Sequence, residues 1–360
     1  SLMKIAITAG GTGGHIFPAL AIINKIKSHD KNSKFLYFGT TDRMEKDIIP
    51  EKGIPYIGIQ MKGLNRKNIL KNITVLKIYL AAIKKAEVEL KKFKPDIVIG
   101  VGGYITAPVL VAANHLGIKT IIHEQNSIPG VSNKLLSHFV NKICVSFKES
   151  EAYFPKKKTI YTGNPRSEEI LSMEKGKRED FGFNHKSKFI ILVMGSLGSL
   201  TMTKKMKELI PSFKDKDYQV LVVTGKNYYD DYKDVKTPTN VKIVPFYDAK
   251  YMKDADLIIT RSGASTIAEV TALLLPSIMI PSPYVTHNHQ YKNAKALEDK
   301  KACKILEEKD FCKENLLSLI DECFKKEVYN EMRKNLKEFS CPNSAEAIYK
   351  EIMRLVRNEE

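Results

Sequence analysis

Five short segments hold residue types that bind anions or move protons. The first is Gly10-Gly11-Thr12-Gly13-Gly14-His15. Glycines let a backbone turn tightly and approach an anion, and a helix starting there offers free amide donors. His15 titrates near neutrality, so it is either a proton carrier beside that loop or a structural loop histidine. Met194-Gly195-Ser196-Leu197-Gly198-Ser199 is a second loop suited to phosphate. In Arg261-Ser262-Gly263-Ala264-Ser265-Thr266-Ile267-Ala268-Glu269, Gly263 permits a turn, and Ser265 and Thr266 suit helix entry. Amides at that point can cradle a diphosphate without a metal. Glu269 falls one turn into the helix, where a carboxylate repels phosphate but accepts two bonds from a ribose diol. The plainer reading is an acid in the favourable first turn of a helix. His123-Glu124-Gln125-Asn126 sets four polar residues in a row, which is costly to bury unless their hydrogen bonds are used. Gly102-Gly103-Tyr104 reads on its own as a turn.

Each segment directly follows a short apolar run. The runs are Lys4–Ala9, Lys34–Phe38, Asp96–Val101, Lys119–His123 and Lys142–Ser146, then Lys188–Met194, Tyr218–Thr224, Asn240–Phe246, Asp256–Thr260 and Pro276–Pro281. Runs of this length rich in Val, Ile and Leu are buried parallel strands. Their alternation with helical stretches predicts an α/β chain of two doubly wound, Rossmann-like domains. The break falls near Gly163-Asn164-Pro165-Arg166 or in the charged stretch up to Lys188. We expect domains at 3–165 and 166–340, with a helix at 341–360 packing back on the first. In a doubly wound sheet, ligands bind beyond the carboxyl ends of the strands, where these segments lie.

With 360 residues the chain needs no disulfide or metal staples. Its five Cys are scattered, with no CxxC pair, as in a reduced cytosolic protein. The net charge of +17 points to acidic partners: nucleic acid, anionic lipid or phosphorylated substrates. A nucleic-acid binder would carry a basic patch interleaved with stacking aromatics or a known reading motif, and neither is found. No run reaches the ~18–20 apolar residues of a transmembrane helix, so any membrane contact is expected to be peripheral.

Taken in order, GGTGGH, GGY, HEQN, GNPR, GSLG and RSGAST…E resemble the MurG family, GT-B glycosyltransferases that complete the disaccharide of lipid II. The resemblance spans residues 4 to about 355. It implies two Rossmann-like domains facing across a cleft. It also implies inverting transfer of N-acetylglucosamine from UDP-GlcNAc to the 4-hydroxyl of N-acetylmuramic acid in lipid I, at the cytoplasmic face of the membrane. By the same resemblance Ser196 and the turn of Gly263, Ala264, Ser265 and Thr266 would meet the donor diphosphate, and Glu269 the ribose. Phe246 and Tyr247 would lie against the uracil, and Gln290 would hold sugar hydroxyls. Thr12, Gly13, Gly14, His15 and Asn126 would come from the first domain, with Arg166 at the hinge. Met194, Leu197, Tyr247, Leu275 and His289 depart from the commonest family pattern.

Transfer needs a base for the acceptor hydroxyl and positive potential for the leaving diphosphate. His15 is the first choice for base and Glu124 the second. No paired Asp-x-Asp follows an early strand, so no metal or other cofactor is expected. The rival readings are another UDP-sugar-dependent GT-B enzyme (a glycolipid glycosyltransferase or a UDP-GlcNAc 2-epimerase) and a non-catalytic nucleic-acid binder.

Residues 60–95 hold ten Lys or Arg against two Glu, +8 of the chain's charge. Ile69, Ile73, Leu76, Leu80 and Ile83 recur at helical spacing, with Leu70, Ile78 and Tyr79 off the stripe. A single apolar stripe usually faces a core. A surplus of apolar residues ringed by Lys instead suits an anionic membrane surface.

Overall fold

The computed structural model describes residues 2–62, 69–194 and 200–359, without the side chains of residues 69, 70, 200 and 286. The chain forms two compact units: residues 1–168 with 343–360, and Glu169–Pro342.

The first unit is a seven-stranded parallel sheet of β1 (Lys4–Thr8), β2 (Lys34–Thr40), β3 (Tyr56–Ile59), β4 (Ile97–Gly100), β5 (Lys119–Glu124), β6 (Lys142–Val145) and β7 (Thr159–Tyr161), in the order 3-2-1-4-5-6-7. The strand order reverses between β1 and β4, which pair Ile5↔Ile97 through Thr8↔Gly100. The second unit repeats the plan with β8 (Lys188–Val193), β9 (Tyr218–Val223), β10 (Val241–Val244), β11 (Leu257–Thr260), β12 (Ser277–Met279) and β13 (Lys304–Ile305), in the order 10-9-8-11-12-13. Its reversal lies between β8 and β11. Crevices open at such reversals, because the connections leave in opposite directions.

One face of the first sheet packs Ile5, Ile7, Ile97 and Ile99 under Ile16, Ile22, Ile23 and Ile26 of the helix Gly13–His29. Ile348 and Ile352 of the helix Ser344–Val356 complete this core. Polar contacts fasten that returning helix. Lys25 bridges Glu168 at 2.6 Å and Glu346 at 3.2 Å. His29 bonds Glu346 at 2.7 Å and stacks on Tyr349.

The other face buries Ala82, Ala86 and Leu90 of the helix Ile69–Phe93 with Leu110, Ala112 and Ala113 of the helix Thr106–His115. The bulky stripe is therefore not the face that packs on the sheet. Alanines on both helices allow close approach, so the alanine side turns inward. Ile73, Leu76 and Leu80 are left 50%, 57% and 57% exposed. No helix among the described residues is long and apolar enough to cross a membrane.

Candidate functional site

One candidate centre is built within the first unit, at the β1–β4 reversal. Thr12 is extended and begins the helix Gly13–His29; its carbonyl accepts from the His15 and Ile16 amides at 3.1 Å. The Gly10 amide donates to the Gly102 carbonyl at 3.1 Å, which joins the two glycine loops. Gly102 and Gly103 have φ of +109° and +101°. A Cβ on Gly102 would enter the His15 ring, and one on Gly103 would strike the Gly10 carbonyl. Gly102-Gly103 is therefore the seat for Gly10 and His15, more than the turn its letters suggest.

His15 Nδ1 lies 3.0 Å from the Gly10 carbonyl oxygen, with Thr12 Oγ1 at 3.5 Å. A carbonyl only accepts, so this bond assigns the proton to Nδ1 and leaves the Nε2 lone pair open. Burial pushes the His15 pKa down, and the Gly10 bond opposes that shift. A neutral imidazole with a free Nε2 can take a proton. Gly13 and Gly14 form the first turn of the helix, and exposed Tyr104 follows the second glycine pair.

His123-Glu124-Gln125-Asn126 is largely committed to architecture. His123 Nε2 donates to the Gly163 carbonyl at 3.0 Å, and its Nδ1 accepts from Gln125 Nε2 at 2.9 Å. Burial drops the His123 pKa to about 4, so the ring is neutral at physiological pH. Gln125 also donates to the Val101 carbonyl, tying β5 to β4. Glu124 accepts from the Asn126 amide at 3.1 Å, the Gly130 amide at 2.9 Å and Asn133 Nδ2 at 3.4 Å. Burial raises its pKa, and these donors oppose the rise. Both Glu124 oxygens thus shape the loop that presents Asn126. Arg166 lies in the first turn of the helix Pro165–Ser172, where its amide donates to Asn164 Oδ1 at 3.0 Å, and it falls within the first unit.

A second candidate centre lies within the second unit, at the carboxyl end of β11. Gly263, with φ −62° and ψ 152°, caps the helix Ala264–Leu273. The first amides of a helix have no partners within it, and this first turn carries no acid. Ser265 Oγ is buried there without a hydrogen-bond partner among the described residues. Thr266 lies beside it, and Glu269 is buried one turn further on. Gln290 Oε1 accepts from the Ser262 amide at 3.3 Å and the Ser282 amide at 2.8 Å. Only its Nε2 remains for another acceptor, close to Gly263. Phe246 and Tyr247 follow β10. Phe246 is 64% exposed, with Lys226 Nζ 5.0 Å from its ring centre. Ser196 lies outside the described residues.

Sequence reasoning passed over three groups. Arg261 Nη1 is held by Glu308 at 2.9 Å and the Ile280 carbonyl at 3.2 Å, while its Nε and Nη2 are buried without partners among the described residues. Arg43 Nη2 donates to the Gly11 carbonyl at 3.0 Å. Fully buried Glu45 accepts from the Gly11 amide. Arg261 stands inside a motif already singled out. Arg43 and Glu45 read in sequence as ordinary charges before a short helix.

Comparison with known proteins gives the same division into two domains. Residues 5–145 match the glycosyltransferase family 28 N-terminal domain, and residues 189–348 the glycosyltransferase family 28 C-terminal domain. A Bacillus pumilus UDP-N-acetylglucosamine–N-acetylmuramyl-(pentapeptide) pyrophosphoryl-undecaprenol N-acetylglucosamine transferase is 42% identical over 355 residues, covering 96% of this chain and 98% of that protein. The crystal structure of Acinetobacter baumannii MurG superposes with a TM-score of 0.79 at 28% identity, covering 98% of this chain and 99% of the other. The structure of S. aureus MnaA with UDP shares the fold, with a TM-score of 0.71 at 15% identity over 99% of this chain and 97% of that one. The chain belongs to glycosyltransferase family 28 and, within it, to the MurG family.

Proposed function

We propose that the protein transfers N-acetylglucosamine from UDP-GlcNAc to the 4-hydroxyl of N-acetylmuramic acid in lipid I, with inversion, yielding lipid II for peptidoglycan growth and division. The observation that carries the chemistry is the bond from His15 Nδ1 to the Gly10 carbonyl, which leaves Nε2 as the acceptor of a proton. His15 Nε2 takes the proton of the 4-hydroxyl as that oxygen attacks the anomeric carbon. The bond from that carbon to the diphosphate oxygen breaks, and UDP leaves with the electron pair. Helix-terminal amides at Ala264, Ser265 and Thr266, Ser265 Oγ and Arg166 stabilise the charge that develops on the diphosphate. Glu269 accepts from the ribose diol, Phe246 and Tyr247 cover the uracil, and Gln290 Nε2 reaches a sugar hydroxyl. Thr12, Gly13, Gly14 and Asn126 hold the acceptor, and Glu124 orders the Asn126 loop. On this reading the first unit serves the acceptor and the second the donor.

The acceptor's polyprenyl chain stays in the bilayer, so the enzyme must work at its surface. Exposed Ile73, Leu76 and Leu80, among the exposed Lys71, Lys77 and Lys84, support docking of the helix Ile69–Phe93 on the anionic inner leaflet. The deciding experiment is transfer of labelled N-acetylglucosamine from its UDP donor to a lipid I analogue. Formation of labelled disaccharide-lipid supports the reading. Acceptor-independent conversion of UDP-GlcNAc to its epimer, with no transfer, overturns it.

A further inference from the structure

Beneath the first glycine loop lies a carboxylate that no step of the proposed reaction uses. Glu45 is fully buried, yet the groups that hold it are uncharged. The Gly11 amide donates to both its oxygens, at 3.2 and 3.1 Å, and Thr40 Oγ1 donates at 3.0 Å. Burying a carboxyl group is costly unless its hydrogen bonds are made, and the fold is shaped around this one. A Cβ on Gly10 would stand 2.5 Å from Glu45 Oε2, and one on Gly39 would stand 2.6 Å from Glu45 Cγ.

Arg43 grips the same residue from the other side, its Nη2 donating to the Gly11 carbonyl at 3.0 Å. The Arg43 amide is itself anchored on Thr40 Oγ1 at 3.1 Å. Both polar groups of Gly11 are thus held by one short segment after β2. Gly11 has a φ of +94°, open to rotation in a residue without a side chain. Its neighbour Gly10 provides the carbonyl that fixes the His15 ring.

We infer that Glu45 and Arg43 are positioning residues for His15: together they clamp Gly11, which fixes the Gly10 carbonyl and aims Nε2. This inference rests on the proposed transferase reading. The Gly11 amide, already bonded to Glu45, is thereby closed to an external phosphate.

A double-mutant cycle tests it in the labelled-transfer assay with full-length protein. Glu45→Gln and Arg43→Ala are each made alone and together with His15→Ala. Each single change is expected to lower kcat about tenfold or more while the KM for UDP-GlcNAc stays within about twofold. In the His15→Ala background each should cost less than about twofold, because there is no ring left to aim. A full loss persisting in that background overturns the inference, as does an unchanged kcat in both single variants. Arg43 is exposed, so its cycle decides the matter if Glu45→Gln does not fold. Absence of transfer by the unaltered protein would overturn the functional reading and this inference with it. Transfer by the unaltered protein with additive cycles would overturn this inference alone.

Discussion

The His15 ring and Gly102 occupy one another's space: the missing side chain of Gly102 is the room in which the imidazole sits. The backbone there has a φ of +109°, so an alanine would meet both an unfavourable conformation and the ring. Two motifs separated by most of a domain in sequence are therefore one device.

On the proposed mechanism His15 acts neutral, and its pKa lies below the usual histidine value because burial disfavours the charged form. The kcat/KM should rise with pH through a limb centred below about 6.5 and be flat above it. His15→Ala should lower kcat on the order of 100-fold or more and abolish the limb, with UDP binding retained. A pH–rate series on both proteins checks this. Survival of the limb in the variant would place the base elsewhere.

Glu269 lies buried one turn into the helix capped by Gly263. Hydrogen bonds to a charged acceptor contribute roughly 1.5–3 kcal/mol each. Glu269→Ala should therefore raise the KM for UDP-GlcNAc at least about tenfold. Calorimetric titration with UDP and with 2′-deoxy-UDP reads the same contact. The wild type should prefer UDP, and the variant should not discriminate.

His123 links acid to the stability of the first unit. Its folded-state pKa is about 4, against 6.5 for the free side chain. Between those values the unfolded chain binds the extra proton, so stability falls as pH drops from about 6.5 to 4. The accumulated loss is about 3 kcal/mol. His123→Asn should be less stable than wild type at pH 7.5, and the gap should narrow by pH 5. Thermal unfolding across that range checks the sign; a constant gap would contradict it.

The helix Ile69–Phe93 offers a membrane test that spares the core. Leu76 and Leu80 are exposed, so Leu76→Ser with Leu80→Ser should leave the melting temperature nearly unchanged. Adding Lys77→Glu and Lys84→Glu should abolish sedimentation with anionic vesicles at physiological salt, because each basic residue contributes about 1 kcal/mol there. Lys85 is better left alone, since its Nζ donates to the Gly58 carbonyl at 2.6 Å. Activity on a soluble short-chain acceptor should persist. Undiminished sedimentation would move the docking surface elsewhere.

Most central strands were legible because strands buried on both faces are written as unbroken Val and Ile runs. The three missed, β3, β7 and β13, all lie at sheet edges and hold only four, three and two residues. Such strands carry too few apolar residues to stand out from a loop. The glycine loops were legible because glycine marks a backbone need, but their interlocking was not, since no letter says that Gly102 faces His15. His123-Glu124-Gln125-Asn126 announced that its polarity was used without saying for what. Much of it braces strands and loops. Which side of the helix Ile69–Phe93 meets the sheet was not legible from the bulky residues, because alanines make the close contact. Glu45 was illegible: a lone acid at a helix start looks the same whether solvated or wholly enclosed.

The core of the first unit is finished by Ile348 and Ile352, which the ribosome adds after all of the second unit. The part of the molecule begun first is thus closed last. Until then the helix Gly13–His29 lacks part of its cover, and Lys25 and His29 lack Glu346. The second unit, an uninterrupted stretch, can reach its native form in the meantime. The domain that carries His15 is thus completed only by chain that follows the whole of the second unit.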